Sequence, residues 1–322
     1  MGRVYPWGRS RPLGAETETN DPWAPDVPDV VVVGSASRDV TADDPRGWRL
    51  GGGATYCSLT LARLGLNVGV MLGVDPLAAT AWELGMLRDA GADICPVPLT
   101  RGPIFENIET DGSRRQRWRS ESDPVPIAQV PDLWRDAPAW LLVPVAAEVP
   151  DEWSVVERPG VRVAIGWQGM LRRFRSDGWV ERTEPRPSPL LAAAGLVCAS
   201  VNDLPRTDEI AALRALGHGA ALILTHGAGG GFVVDENGKA GTYPAIPAGP
   251  IVDPTGAGDI FLAGLMAAWL WTGQLLTGRS LRIAAAAGSL AVEGIGLAGA
   301  PDLAALAERA HRPVSSEGRP GG

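Results

Sequence analysis

The chain has 322 residues, 45% of them hydrophobic and 20% charged, with a formal charge of −8 that argues against nucleic acid as the main partner. The longest apolar helical run, residues 260–271, is too short to cross a bilayer, and the start Met1-Gly2-Arg3 lacks both an apolar signal core and the Ser/Thr of a myristoylation site. Three scattered cysteines, Cys57, Cys95 and Cys198, form no metal pattern and suit a reducing compartment, so a cytoplasmic enzyme without a membrane partner is expected.

Residues 1–28 and 312–322 are rich in Pro, Gly and charge without periodicity and read as mobile tails. Between them, strands alternate with helices, which predicts one α/β domain over residues 29–311. The valine run at residues 30–33 ends in Gly34 and reads as a fully buried parallel strand. Asp39 follows where open α/β sheets bind ligands; it either accepts hydrogen bonds from sugar hydroxyls or is a plain turn residue. Gly51-Gly52-Gly53 then opens a helix that runs to Leu64-Gly65, its bare amides serving either close approach of a substrate or a flexible loop. A strand at 68–74 comes next. Two extended arms about Asp111-Gly112 predict a β-hairpin, and its arginine-rich second arm, Arg114 to Arg119, reads as a soluble edge in preference to a phosphate site.

Further strands are predicted at 140–143, at 161–165 before Gly166-Trp167-Gln168, at 196–199 before Asn202-Asp203-Leu204-Pro205, and at 221–224 before Thr225-His226-Gly227-Ala228-Gly229-Gly230. His226 is given no catalytic role, because no second His or Cys lies near it in sequence. The twelve tryptophans suggest nothing beyond packing. Gly294-Ile295-Gly296-Leu297-Ala298-Gly299 has the spacing of a dinucleotide fingerprint, yet it follows a helical run instead of a strand, and no Gly-x-x-x-x-Gly-Lys-Ser/Thr exists. An oxidoreductase and a P-loop kinase are therefore excluded.

The most informative stretch is Asp253-Pro254-Thr255-Gly256-Ala257-Gly258-Asp259. Gly256, Ala257 and Gly258 can turn bare N–H groups toward an anion, and the apolar run after them reads as a helix whose positive end faces the loop. Asp259, in the first helical turn, either caps the helix or takes a proton from an attacking hydroxyl; the flanking glycines favour the second role, since a plain cap needs no room for a ligand.

This stretch, continued through residue 264 without a gap, resembles the second signature of the ribokinase-like (PfkB-type) carbohydrate kinases. The resemblance covers roughly residues 29–303 and implies a three-layer α/β/α sandwich with a mostly parallel central sheet and a small β lid from about 40–50 and 98–120. It implies an ATP- and Mg2+-dependent phosphotransferase with Asp259 as general base and Gly256, Ala257 and Gly258 as the anion hole. Asp39, in a "Gly-x-x-x-x-Asp" segment, and Gly51 and Gly52, in the family's Gly-Gly pair, imply an acceptor site, with Asn107 reaching in from the lid unless it belongs to a solvated face, as Glu106 beside it does under the same alternative. Thr55 and Tyr56 stand where ribokinases carry Asn, which argues against ribose. Gln168 and the arginine four residues on resemble a pattern of plant myo-inositol kinases, a pointer to a polyol or cyclitol. Asn202, Thr225, Gly227 and Gly230 imply nucleotide contacts, with Ala287, Ser289 and Gly296 near the adenine. Pro205 replaces a Glu that helps hold Mg2+, leaving Asp203 or the nucleotide phosphates and water to do so. Asp253 positions the loop or a nearby cation, and both a monovalent cation and a homodimer through the lid stay open. Two alternatives remain: a nucleoside or sugar-phosphate kinase of the same family, the latter needing arginines in the lid, and a catalytically silent sugar-binding sensor.

Overall fold

The computed structural model of the chain describes residues 26–110, 113–205, 210–216 and 219–312. The Asp111-Gly112 turn and the two expected tails, apart from residues 26–28 and 312, lie outside the described residues. In chain order the strands are β1 (Val30–Ser35), β2 (Ser37–Val40), β3 (Trp48–Gly51), β4 (Val68–Val74), β5 (Ala92–Pro98), β6 (Ile104–Thr110), β7 (Ser113–Ser120), β8 (Ala139–Leu142), β9 (Arg162–Gly166), β10 (Arg172–Phe174), β11 (Val180–Arg182), β12 (Leu196–Ser200), β13 (Ala221–Thr225), β14 (Gly231–Val234) and β15 (Ala240–Tyr243). The helices are α1 (Gly53–Arg63), α2 (Glu83–Asp89), α3 (Pro189–Ala192), α4 (Ile210–Leu216), α5 (Ala257–Thr272), α6 (Gly278–Ala291) and α7 (Leu303–His311).

Nine strands form one sheet in the order β15-β14-β13-β12-β9-β8-β1-β4-β5. Neighbours from β13 to β5 pair in parallel, and β14 and β15 extend the edge antiparallel. The valines of β1 show why helices cover both faces. Val30 and Val32 enter a core shared with α1, α5 and α6, whereas Val31 and Val33 enter a second core with Trp140, Trp153 and Leu190. A continuous β-branched run suits a strand buried on both faces, and each buried Val contributes roughly 1.5–3 kcal/mol. Strand order reverses between β1 and β8, which opens a crevice beyond their C-terminal ends. No helix among the described residues is long and apolar enough to cross a membrane.

A second sheet of order β3-β2-β6-β7 stands over that crevice as a lid. Its first segment spans Ser37 to Gly51 instead of the expected 40–50, because β2 pairs with β6 directly after β1, with Asp39 opposite Phe105. The short hairpin of β10 and β11 is invisible in the sequence, its three-residue strands carrying four charged side chains. It is fastened to the lid: the Trp118 N–H donates to the Gly178 carbonyl at 3.0 Å, and the Trp118 indole N–H donates to the Arg175 carbonyl at 2.9 Å. Phe174 packs in tilted contacts against Trp118 and Phe105, with centroids 5.5 and 6.2 Å apart. Among the described residues, Trp134, Trp140, Trp153 and Trp167 are buried, while other tryptophans make cation–π contacts, with Arg46 over Trp48 at 4.5 Å and Arg115 over Trp179 at 3.9 Å.

The loop after β8 is tied to β1 by one buried carboxylate. Glu148 accepts hydrogen bonds from the N–H groups of Ser35 at 3.0 Å, Val145 at 3.0 Å and Ala146 at 2.7 Å. Burial raises its pKa, and these donors work against that rise. Glu148→Gln places an amide donor against N–H groups, so it should lower stability by about 2–3 kcal/mol, read as a lower urea midpoint with unchanged slope.

Candidate active site

A cleft of about 1130 Å³ lies between the C-terminal ends of the central strands and the lid. Gly256, Ala257, Gly258 and Asp259 form its floor, with Asp39, Gly52 and Gly53 on one side. Asn107 and Gln116 face it from the lid, and Ser200, Asn202, Asp203, Thr225 and Gly227 line the far end.

The floor is held by backbone geometry. Gly256 precedes α5 in the left-handed conformation (φ 78°), and a Cβ there would collide with the Tyr56 ring. Asp253 braces the loop: its Oδ1 accepts the Thr255 N–H at 2.9 Å and its Oδ2 accepts the Gly296 N–H at 3.1 Å, with Arg49 at 3.8 Å. These bonds make Asp253 a brace of the loop. Gly258 faces open space in the cleft.

Asp259 does not cap α5, whose N-cap is Gly256. Its carboxylate faces the cleft with Gly53 behind it, reachable by water yet walled by protein. Burial pushes its pKa up to about 7; Arg172 draws it down, and Asp203 and Asp39 push it further up. The neighbouring thiols of Cys57 and Cys198 are pushed up chiefly by burial, so both stay protonated.

Asp39 accepts the Ser37 hydroxyl at 2.8 Å and projects into the cleft. Gly52, at φ 99°, lets the start of α1 pass against the Ser35 carbonyl. Asn107 accepts a hydrogen bond from Gln116 at 3.0 Å, and Gln168 donates to Asp203 at 3.1 Å. Asp203 also accepts the Ser200 N–H at 2.9 Å, closing a capping box after β12.

Other expected residues stand back from the cleft. Gly51 packs beneath the Asp39 carboxylate, where a side chain would collide. Thr55 is fully buried and donates to the carbonyls of Gly51 at 3.0 Å and Gly52 at 2.7 Å, so it locks the helix start in place of touching substrate. Gly230 shapes the turn before β14 against the Tyr243 carbonyl. Ala287 is wholly buried where α6 meets Gly264 of α5, Ser289 donates to the Pro247 carbonyl at 3.1 Å, and Gly296 serves Asp253. None of these three residues, expected near the adenine, lines the cleft.

Three further wall residues, Tyr56, Trp167 and Arg172, were given no site role by sequence reasoning, which met Tyr56 and Arg172 only within family patterns. Arg172 donates to the Val145 carbonyl at 3.1 Å and lies 5.2 Å from the Phe105 ring centroid. Burial lowers its pKa, while the Asp203, Asp259 and Asp39 carboxylates act to raise it. Its only signal in the sequence was its place four residues after Gln168.

A lid over the C-terminal ends of a mostly parallel sheet, above a glycine-led helix bearing an inward carboxylate, defines a ribokinase fold. Residues 197–303 match the pfkB family carbohydrate kinase model. It is 34% identical to an inositol 3-kinase of Zea mays over 155 residues, covering 46% of this chain and 38% of that protein. An inositol 3-kinase of Oryza sativa subsp. japonica is 27% identical over 296 residues, covering 76% of this chain and 70% of the relative. Among solved structures, a pyrophosphate-dependent kinase of the ribokinase family complexed with a pyrophosphate analog and myo-inositol matches with a TM-score of 0.66 at 18% identity, covering 83% of this chain and 96% of that one. The ribokinase of Arabidopsis thaliana complexed with ribose and ATP matches with a TM-score of 0.64, also at 18% identity, covering 89% of this chain and 100% of that one.

Gly256→Ala should cost about 1–3 kcal/mol from backbone strain, plus the expense of displacing Tyr56. In a Tyr56→Ala background the steric part disappears and the strain remains, so a double-mutant cycle on thermal or urea unfolding should show a smaller penalty there.

Proposed function

We propose that the chain transfers a phosphoryl group from ATP to a hydroxyl of a small carbohydrate or polyol, with cyclitols such as myo-inositol as the favoured acceptor type. The observation that carries this reading is the Asp259 carboxylate, free of a cap bond and facing the cleft beside the exposed Gly258 amide. Asp39, with Asn107 above it, orients the acceptor hydroxyls. Asp259 takes the proton as the hydroxyl attacks, and a base with a pKa about 7 is matched to that task. The amides of Gly256 to Gly258 and the positive end of α5 stabilise the charge that builds on the phosphoryl oxygens. Asn202, Thr225 and Gly227 at the far end of the cleft serve the donor. Mg2+ supplies charge neutralisation on the donor phosphates, and Asp203, whose carboxylate keeps lone pairs beyond its two hydrogen bonds, is the group suited to its water shell. The inositol kinase relatives support the acceptor type. A second donor, pyrophosphate, is favoured by the burial of Ala287 and Gly296, which leaves the expected adenine contacts away from the cleft.

ADP or phosphate release is the test, run with ATP and with pyrophosphate against polyols, pentoses, hexoses and nucleosides. Asp259→Asn should lower kcat by about 10²- to 10⁴-fold while ATP binding by calorimetry stays nearly unchanged; a fully active variant overturns the base assignment. Because the raised pKa keeps Asp259 protonated, and so unable to accept a proton, below neutrality, kcat/KM should climb with pH and level off above about 7. A rate that falls through that range speaks against a carboxylate base.

A further inference from the structure

We infer that Arg309, which stands outside the cleft, is a positioning residue for phosphoryl transfer; this rests on the kinase reading above. Through Ser289 and Glu293 it fixes residues 247–253, and with them the anion loop that ends in Asp259. The segment needs such a hold, because it has little packing of its own. Ile246 is the last buried side chain before α5, and every residue from Pro247 to Val252 is exposed, Ile251 by 69%. Pro247 and Pro250 also lack an N–H, which leaves Ala248, Gly249, Ile251 and Val252 as backbone donors. Two of these reach the C-terminal end of α6: the Gly249 N–H donates to the Glu293 carboxylate, and the Val252 N–H donates to the Val292 carbonyl at 2.7 Å. The Pro247 carbonyl accepts the Ser289 hydroxyl at 3.1 Å.

Arg309 organises the end of α6 that receives these bonds. It lies on the buried face of α7 with Leu306 and Ala310, only 4% exposed. Its guanidinium donates to the Ser289 hydroxyl at 2.6 Å and spans both Glu293 oxygens at 2.8 and 2.9 Å. Each of its partners is therefore a group that in turn holds residues 247–249, and the planar fork orients both at once. A pair that only fastened α7 to α6 would call for none of this. An apolar side chain would do so without burying a charge, and without leaving the Arg309 Nε, which has no hydrogen-bond partner among the described residues. The hold joins the clamp of the anion loop at Asp253, whose N–H donates to the Val292 carbonyl at 3.2 Å while its carboxylate takes the Thr255 and Gly296 N–H groups. A displacement of residues 247–252 is thereby carried to Gly256 and Asp259.

Steady-state kinetics with Mg·ATP and myo-inositol, or the acceptor selected by the panel above, should compare the wild type with Arg309→Met, Glu293→Gln, their double variant and Leu306→Ala. Each kcat is referred to the folded fraction from urea unfolding. Arg309→Met and Glu293→Gln should each lower kcat by about tenfold with the acceptor KM within about twofold, and the double variant should fall no further than the worse single. Leu306→Ala removes a fully buried side chain of the same helix, so it should lower the urea midpoint and keep the wild-type kcat. Equal kcat in Arg309→Met and Leu306→Ala, or losses that multiply in the double variant, overturns the positioning role. Glu293 is partly exposed, so Glu293→Gln carries the test if Arg309→Met does not fold. Amide hydrogen exchange needs no turnover: residues 248–258 should exchange about tenfold faster in Arg309→Met while the central sheet is unchanged. That pattern in a chain that phosphorylates no acceptor retains the hold on the loop and removes the kinase reading, whereas unchanged exchange there, or a rise spread evenly over the chain, overturns the proposal.

Discussion

The rest of the site depends on how one turn of backbone is forced into place ahead of α5. Gly256 adopts a conformation that side chains avoid, the Tyr56 ring fills the space where a Cβ would be, and Asp253 clamps the turn to Gly296. These restraints come from α1, from the loop itself and from the segment after α6. Because α5 then runs buried for most of its length between the sheet and α6, its first turn cannot shift without disturbing the core. The position of Asp259 is thus fixed by packing, with Gly53 behind its carboxylate.

Electrostatics divides the cleft more sharply than its shape does. Asp39, Asp203 and Asp259 converge on a volume into which Arg172 also points, so the charge state of Asp259 follows from a contest between burial and like charge on one side and a single guanidinium on the other. The buried carboxylate of Glu148, by contrast, is consumed in holding backbone and takes no part. The two acids differ in role because Glu148 is fully enclosed among donors, whereas Asp259 stands partly open to the cleft.

Six of the nine central strands, β1, β4, β8, β9, β12 and β13, were legible because they are short apolar runs ended by small or polar residues: residues 68–74 were bounded as they occur, and the strands at 196–199 and 221–224 differ by one residue, whereas β5, β14 and β15 went unread. The glycine-led loop before α5 and Asp39 could be read from residue type and order. What escaped depends on tertiary pairing. The strand Ser37–Val40 is four mostly polar residues stabilised by β6, far along the chain, and the β10–β11 hairpin gains its place from aromatic contacts with the lid. Thr55 has the chemistry of a ligand residue, yet its hydroxyl is spent on two carbonyls of its own turn, which spacing alone does not reveal. Ala287 and Gly296 illustrate the converse, since a place near a site in sequence does not put an atom on its wall.

The hairpin fastened to the lid has a further consequence. Trp118 joins two segments that leave the central sheet at different points, the lid arm after β5 and the hairpin after β9. The cover of the cleft and part of its side wall are therefore one mechanical unit with three roots, after β1, β5 and β9, and a molecule entering or leaving must displace them together or slip through an opening that no single root controls.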